Sequence, residues 1–263
     1  LHVGEEIDHG LGGDRATGAP GDVVEQHRKV GGRGAGPEVF AQPRLRGPVV
    51  VAGHVEDAVG ARRRRSLREL DRGLRVVASG AGYNPRPSHA GLSQHGRACA
   101  AAPDLPLLLY DIPGRTGRKI ATETMVDLFT DVENIVGVKD AAGSPGETAR
   151  MLSLAPEGTE VYSGDDGLTL ALMAIGGVGV IGVATHWVGN ETTDMMNAFF
   201  GGDVHKAAEI NRRLIPSYEF ETGDLAPNPI PTKAMLRILG LPGGPTRMPM
   251  GPEPDFVESD AKT

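Results

Sequence analysis

Lys139 lies in the run NIVGVKDAAG, after four mostly apolar residues and just before Asp140, where a strand would leave a core. A lysine at the C-terminal end of a parallel strand is partly desolvated, which lowers its pKa and enriches the neutral amine that can attack a ketone. Taken singly, such a lysine is more often a solvated residue opening a loop. The run LLLYDIPGRTG adds Tyr110 at the end of the preceding strand, with Pro113, Gly114, Arg115 and Gly117 in the loop beyond it. A phenol beside an amine can carry protons during imine formation, and a guanidinium can hold a carboxylate through two parallel hydrogen bonds. Tyr110 and Arg115 each have an ordinary use as well, at the rim of a core and as a surface charge. For these two and a lysine together, on neighbouring strand ends, the ordinary uses weaken.

Those groups need parallel strands to hold them. From about Leu105 onward, short apolar runs alternate with amphipathic stretches, as repeated βα units around a parallel sheet require. Strands are expected at Leu107 to Tyr110, Ile135 to Lys139, Val161 to Ser163 and Val178 to Val183. Helices are expected at Ala121 to Phe129, Glu147 to Leu154 and Gly167 to Ile175. Two further helices, Asp203 to Leu214 and Pro231 to Leu239, each open on a residue suited to a first turn: Asp203 as an N-cap and Pro231 at the first helical position. The fold class expected is α/β, a (β/α)8 barrel with a C-terminal helical extension. C-terminal strand ends are where such a barrel carries its active site. The chain divides by pattern into 1–82, a poorly matching N-terminal part of the barrel, 83–202 with the active site, and 203–263, the helical region.

Residues 1–82 read differently. They are crowded with Gly, Arg, Asp and Val, and hold one lysine (Lys29), one isoleucine (Ile7) and one aromatic residue of the Phe, Tyr or Trp kind (Phe40). Only Pro48 to Ala52 and Leu74 to Ala78 look like strands, with a helix between them over Val55 to Arg72. Two explanations stand open, a divergent, loop-rich start to the barrel or coding sequence read in another frame.

Composition narrows the function class. The 263 residues carry a net charge of −7, which disfavours nucleic acid as a partner and favours a small molecule. Cys99 is the single cysteine, so neither an internal disulfide nor a cysteine-based zinc site is available. No apolar run approaches the roughly 18 residues that a membrane span needs, and no signal peptide is visible, so a cytoplasmic location is expected.

In order along the chain, LLYDIPGRTG, GVKDA, YSGDD, GGVGVIGV, and NPIPTKAMLRILGL followed by RMPM resemble the dihydrodipicolinate synthase family of pyruvate-dependent lyases, over about Tyr83 to Met250. N-acetylneuraminate lyase belongs to the same superfamily and shares the Tyr and the Lys, whereas Arg115 in its IPGRTG setting resembles the synthase branch. The resemblance implies condensation of pyruvate with L-aspartate 4-semialdehyde in lysine and diaminopimelate biosynthesis. In it Lys139 forms the imine, Tyr110 acts as acid and base, and Arg115 binds the semialdehyde carboxylate. Gly164 and Ile181 would line the pyruvate pocket. No cofactor or metal is implied, and a homotetramer is. Alternatives remain: another 2-keto-acid aldolase of the superfamily, or a non-catalytic barrel remnant.

The chain also departs from the family. It has no Gly-Thr-Thr-Gly-Glu run, whose threonines in the family hold the pyruvate carboxylate and link the proton relay; Thr17 is the only threonine before Thr116. The family's Tyr-Tyr-Asn-Arg-Pro segment reads GYNPRP here, so Asn84 stands at the second tyrosine's place and Tyr83 fills the catalytic role only with a shift of the loop.

Other signals carry less. Gly177, Gly179 and Gly182 satisfy G-x-G-x-x-G, but the glycines follow a helix and sit in a strand, the reverse of a dinucleotide loop. Close packing of a strand is the expected use. Arg62 to Arg65 is a short basic run of the kind usually found on a solvated face. His95 and His186 lack metal-ligand spacing, and Asp165 and Asp166 are expected to shape a loop by accepting from backbone donors.

Overall fold

The computed structural model describes residues 75–78, 87–101 and 106–262. Among these residues five parallel strands lie in chain order, β1 (Arg75–Ala78), β2 (Leu107–Asp111), β3 (Ile135–Asp140), β4 (Glu160–Ser163) and β5 (Gly179–Val180). Between them run α1 (His89–Ala100), the single turn α2 (Pro113–Thr116), α3 (Thr122–Asp131), α4 (Pro145–Leu154) and α5 (Thr169–Ala174). Consecutive parallel strands with helical crossovers make an arc of a (β/α) barrel. After the sheet come α6 (Gly189–Phe200), α7 (Val204–Phe220), α8 (Ile230–Ile238) and α9 (Asp255–Asp260).

Side chains alternate across these strands, and the two faces differ in kind. Leu107, Leu109, Val138 and Val161 are buried against Leu92, Met125, Leu128 and Met151 of the helices, in one apolar cluster. Leu107, wholly removed from water, stabilises the fold by about 2 kcal/mol. α1 starts at Ser88, whose hydroxyl accepts from the Gly91 N–H. It approaches α3 closely because Gly96 has no side chain: a Cβ there would stand 3.1 Å from the Leu128 side chain. On the other face, strand register sets Tyr110 beside Lys139 and Lys139 beside Tyr162. A register shift at Leu107/Leu108 and Gly137 belong to the same region. A Cβ at Gly137 would overlap the Glu160 carbonyl oxygen, so only glycine allows β3 and β4 to pair there.

Most expected elements occur with ends moved by a few residues. The expected strand from Val178 to Val183 is shorter. Ile181 still donates to the Ser163 carbonyl at 2.8 Å, but the Val183 N–H turns to the Asp166 carboxylate at 2.6 Å and the chain leaves the sheet. The helix expected at Gly167 to Ile175 opens instead as a 3-10 turn, Asp166–Leu168, before α5. Asp203 caps α7 as expected, accepting from the Lys206 N–H at 3.0 Å, and Pro231 lies in the first turn of α8. Yet α7 runs past Leu214 and contains Pro216. Tertiary packing outweighs that proline: Leu214 and Tyr218 are buried on either side of it, and Ser217 accepts from the Trp187 indole at 3.2 Å. Leu74 falls outside the described strand β1, and the elements expected at Pro48 to Ala52 and Val55 to Arg72 lie outside the described residues. Helices α1, α6 and α9 were not expected from pattern, since their stretches mix apolar with small or polar residues, and the loop expected at Pro113 to Arg115 is the helical turn α2, opened by Pro113.

Among the described residues no helix is long and apolar enough to cross a membrane, and no group of His, Cys, Asp and Glu could hold a metal ion.

Candidate active site

Lys139 is the next-to-last residue of β3, and its Nζ stands 4.2 Å from the centre of the Tyr110 ring. Both side chains are half-buried at the C-terminal edge of the sheet. Burial lowers the Lys139 pKa, opposed in part by the negative charge of Asp166. Burial raises the Tyr110 pKa, opposed in part by Arg115. A ring face attracts the ammonium through its quadrupole only weakly at a partly wet site, by about 0.5–1 kcal/mol. Lys139 has no ion pair among the described residues, so its proton is held less firmly than on a salt-bridged lysine.

Gly164 makes room for this arrangement. It follows β4, donates its N–H to the Asp140 carbonyl at 2.7 Å, and lies against the lysine stem. A Cβ at that position would stand 2.9 Å from Lys139 Cε and 3.1 Å from Ala141 Cβ, too close without displacing the lysine. Ile181, on the next strand end, is held by its N–H bond to Ser163. Arg115 sits exposed in the single turn α2, which ends at Gly117 in the left-handed conformation at φ 68°. It is close enough to Tyr110 for its charge to bear on the phenol. Tyr83 lies outside the described residues.

Two side chains beside this site were not singled out as site residues. Tyr162, the β4 neighbour of Lys139, donates its hydroxyl to Glu160 Oε2 at 2.8 Å. Burial first, then the Glu160 charge and the bond to it, push the phenol's pKa far up, so it remains a neutral donor. Glu221, just past α7, accepts from the Ala184 N–H at 3.1 Å and is hydrogen-bonded to Asp166. Its only sequence signal was an acidic residue at the end of an amphipathic helix. Asp165 and Asp166 do shape the loop: the Asp165 N–H donates to Ser163 Oγ, and Asp166 accepts from Val183. The glycines of the G-x-G-x-x-G pattern serve packing, since a Cβ at Gly177 would stand 2.7 Å from the Leu172 carbonyl oxygen and one at Gly182 would overlap the Asp166 carboxylate.

Residues 70–260 match the Dihydrodipicolinate synthetase family. The chain belongs to that family. A family member from Nostoc sp., a 4-hydroxy-tetrahydrodipicolinate synthase, is 46% identical over 169 residues, covering 64% of this chain and 56% of its own length. Among solved structures of the family, the enzyme from Cyanidioschyzon merolae with lysine bound superposes with a TM-score of 0.66 at 40% identity, covering 72% of this chain and 62% of that one. The dihydrodipicolinate synthase from Acinetobacter baumannii complexed with pyruvate gives 0.66 at 29% identity, covering 75% and 66%. The chain therefore shares the family's parallel α/β barrel architecture, and it spans little more than half the length of the Nostoc relative.

Proposed function

We propose that this chain is a Schiff-base lyase condensing pyruvate with L-aspartate 4-semialdehyde to 4-hydroxy-tetrahydrodipicolinate. The observation that carries the reading is the adjacent pair Lys139 and Tyr110, with the lysine desolvated and free of an ion pair among the described residues. The neutral Lys139 amine adds to the pyruvate ketone and water leaves, giving an imine. Once protonated, the imine nitrogen is an electron sink, so a methyl proton departs and an enamine forms. The enamine carbon attacks the aldehyde, and the substrate's own amine then displaces Lys139 as the ring closes. Tyr110 acts as acid and base beside the imine, giving a proton to the departing hydroxyl as water leaves, and Arg115 holds the semialdehyde carboxylate. Gly164 and Ile181 border the pyruvate, and Tyr83 assists the relay. This chemistry calls for no metal or organic cofactor. We place the enzyme in the cytoplasm as a homo-oligomer, a tetramer by analogy with the family.

Support comes from the family membership and from the pyruvate complex of the Acinetobacter baumannii relative. A second reading, a non-catalytic barrel, is favoured by one observation, the lack of a Gly-Thr-Thr-Gly-Glu run in the sequence. A coupled assay with both substrates separates the two. Turnover lost in Arg115→Ala, with imine formation on pyruvate retained, supports the synthase. Imine formation with unchanged turnover in that variant points to a different 2-keto-acid aldolase, and no turnover by the native chain rejects the proposal.

A further inference from the structure

Asp166 is 2% exposed and Glu221 is 9% exposed, two carboxyl groups in hydrogen-bonded contact within a folded core. They come from distant parts of the chain. Asp166 opens the turn after β4, and Glu221 follows the last residue of α7. Between them they take two successive amides of the segment that leaves β5: Val183 donates to Asp166 Oδ2 at 2.6 Å and Ala184 donates to Glu221 Oε2 at 3.1 Å. Gly182, immediately before, has no room for a side chain because the Asp166 carboxylate occupies the space. That segment begins at Ile181, and the turn bearing Asp166 begins beside Gly164, which touches the Lys139 stem.

Two adjacent carboxylates cannot both ionise cheaply in such a place. One proton shared between them lets the pair donate to itself, accept from both amides and keep a single negative charge. Burial first, then the neighbouring Asp166, raises Glu221 to about 8, so the pair keeps one proton at neutrality. Burial lowers the Lys139 pKa, and the negative charge of Asp166 opposes that shift.

We propose that Asp166 and Glu221 are positioning residues for Lys139: they clamp the Ile181–Ala184 segment into the site wall and present one fixed negative charge to the lysine. The inference rests on the proposed imine chemistry only for its use, not for its test. Charged and titratable groups facing the pair are Asp165 from the same turn, Tyr218 from α7 and Lys139 from β3. On α8, Lys233 is turned to the Gly243 carbonyl and Arg237 to Glu253. The Tyr218 hydroxyl is buried without a hydrogen-bond partner among the described residues, and burial beside the two acids pushes its pKa up, so it stays neutral.

The test reads the Lys139 proton directly, without pyruvate. Native chain, Glu221→Gln and the double variant Asp166→Asn/Glu221→Gln are each acetylated with trace acetic anhydride from pH 6 to 10. The labelled fraction of the Lys139 peptide is followed by mass spectrometry. Amide replacements keep the mutual hydrogen bond and an acceptor for each backbone N–H. The double variant, with the charge removed, is expected to titrate Lys139 about one pH unit lower than the native chain. Glu221→Gln is expected to titrate it more sharply on the alkaline side, because no second charge develops above pH 8. An unmoved Lys139 midpoint in the double variant overturns the proposal. Should that variant fail to fold, a native-like curve in Glu221→Gln does the same. Borohydride trapping with pyruvate on the native chain reports separately on the imine reading.

Discussion

Strand β3 ends in two neighbouring polar residues that face opposite ways and have opposite fates. Lys139 looks to the inner side, over a ring and without an ion pair among the described residues. Asp140 looks outward to the helices and is saturated: Ala142 donates its N–H at 2.8 Å and the Thr148 hydroxyl donates to the other oxygen. Asp111, one strand over, accepts from the Ile120 N–H at 3.0 Å, and beside it Lys119 pairs with Glu147. The outer polar groups stitch strand ends to helices. Polarity at a strand end therefore does not by itself mark chemistry: Asp111 Oδ2 too is buried without a hydrogen-bond partner among the described residues, and what sets Lys139 apart is an amine lying against a phenol on the inner face.

The comparison can be broken most severely at the glycine both sides depend on. Gly137→Ala would force β3 and β4 apart and is expected to destabilise the fold by about 3 kcal/mol or more, read as the denaturant midpoint at unchanged slope. On the inner side, Tyr110→Phe should slow imine formation about 100-fold, close to 2.7 kcal/mol, and leave the thermal midpoint where it is. A fall in midpoint with an unchanged trapping rate would make Tyr110 a core residue instead.

Asp111 sharpens the outer half. Burial, chiefly, and Asp140 raise its pKa from 3.8 to about 6 against the opposing pull of the Ile120 amide and Lys119. A raised acid contributes its full stability below the unfolded value near 4 and loses it as pH climbs through about 6. Asp111→Asn does not titrate, so relative to the native chain it should gain about 2 kcal/mol between pH 4 and pH 7. A pH-independent difference would contradict the assignment. The smallest effect belongs to Thr148→Val, which strands one Asp140 oxygen. It should cost about 1–2 kcal/mol of stability and leave borohydride trapping at Lys139 unchanged.

Much of this was legible from residue order. The apolar runs of β2 and β3 are short and bounded, so period and length fixed their placement, and with them the adjacency of Tyr110 and Lys139. Asp203 and Pro231 announced two helix starts by their chemistry. The end of β5 was not legible, because a carboxylate seventeen positions earlier removes Val183 from the ladder, and no local pattern carries that bond. Nor was Glu221, whose meaning depends on a partner 55 residues away in the chain. Gly164 was marked through resemblance alone; its physical reason, room for the lysine stem, needed coordinates. Tyr83 stays a reading of sequence.

In the proposed reaction Lys139 is the amine that meets pyruvate. Incubation of the native chain with saturating pyruvate and borohydride, followed by peptide mass spectrometry, tests it in one step. A reduced pyruvyl adduct on Lys139, absent from Lys139→Arg, is the predicted result. No adduct, or an adduct on a different lysine, would contradict the account.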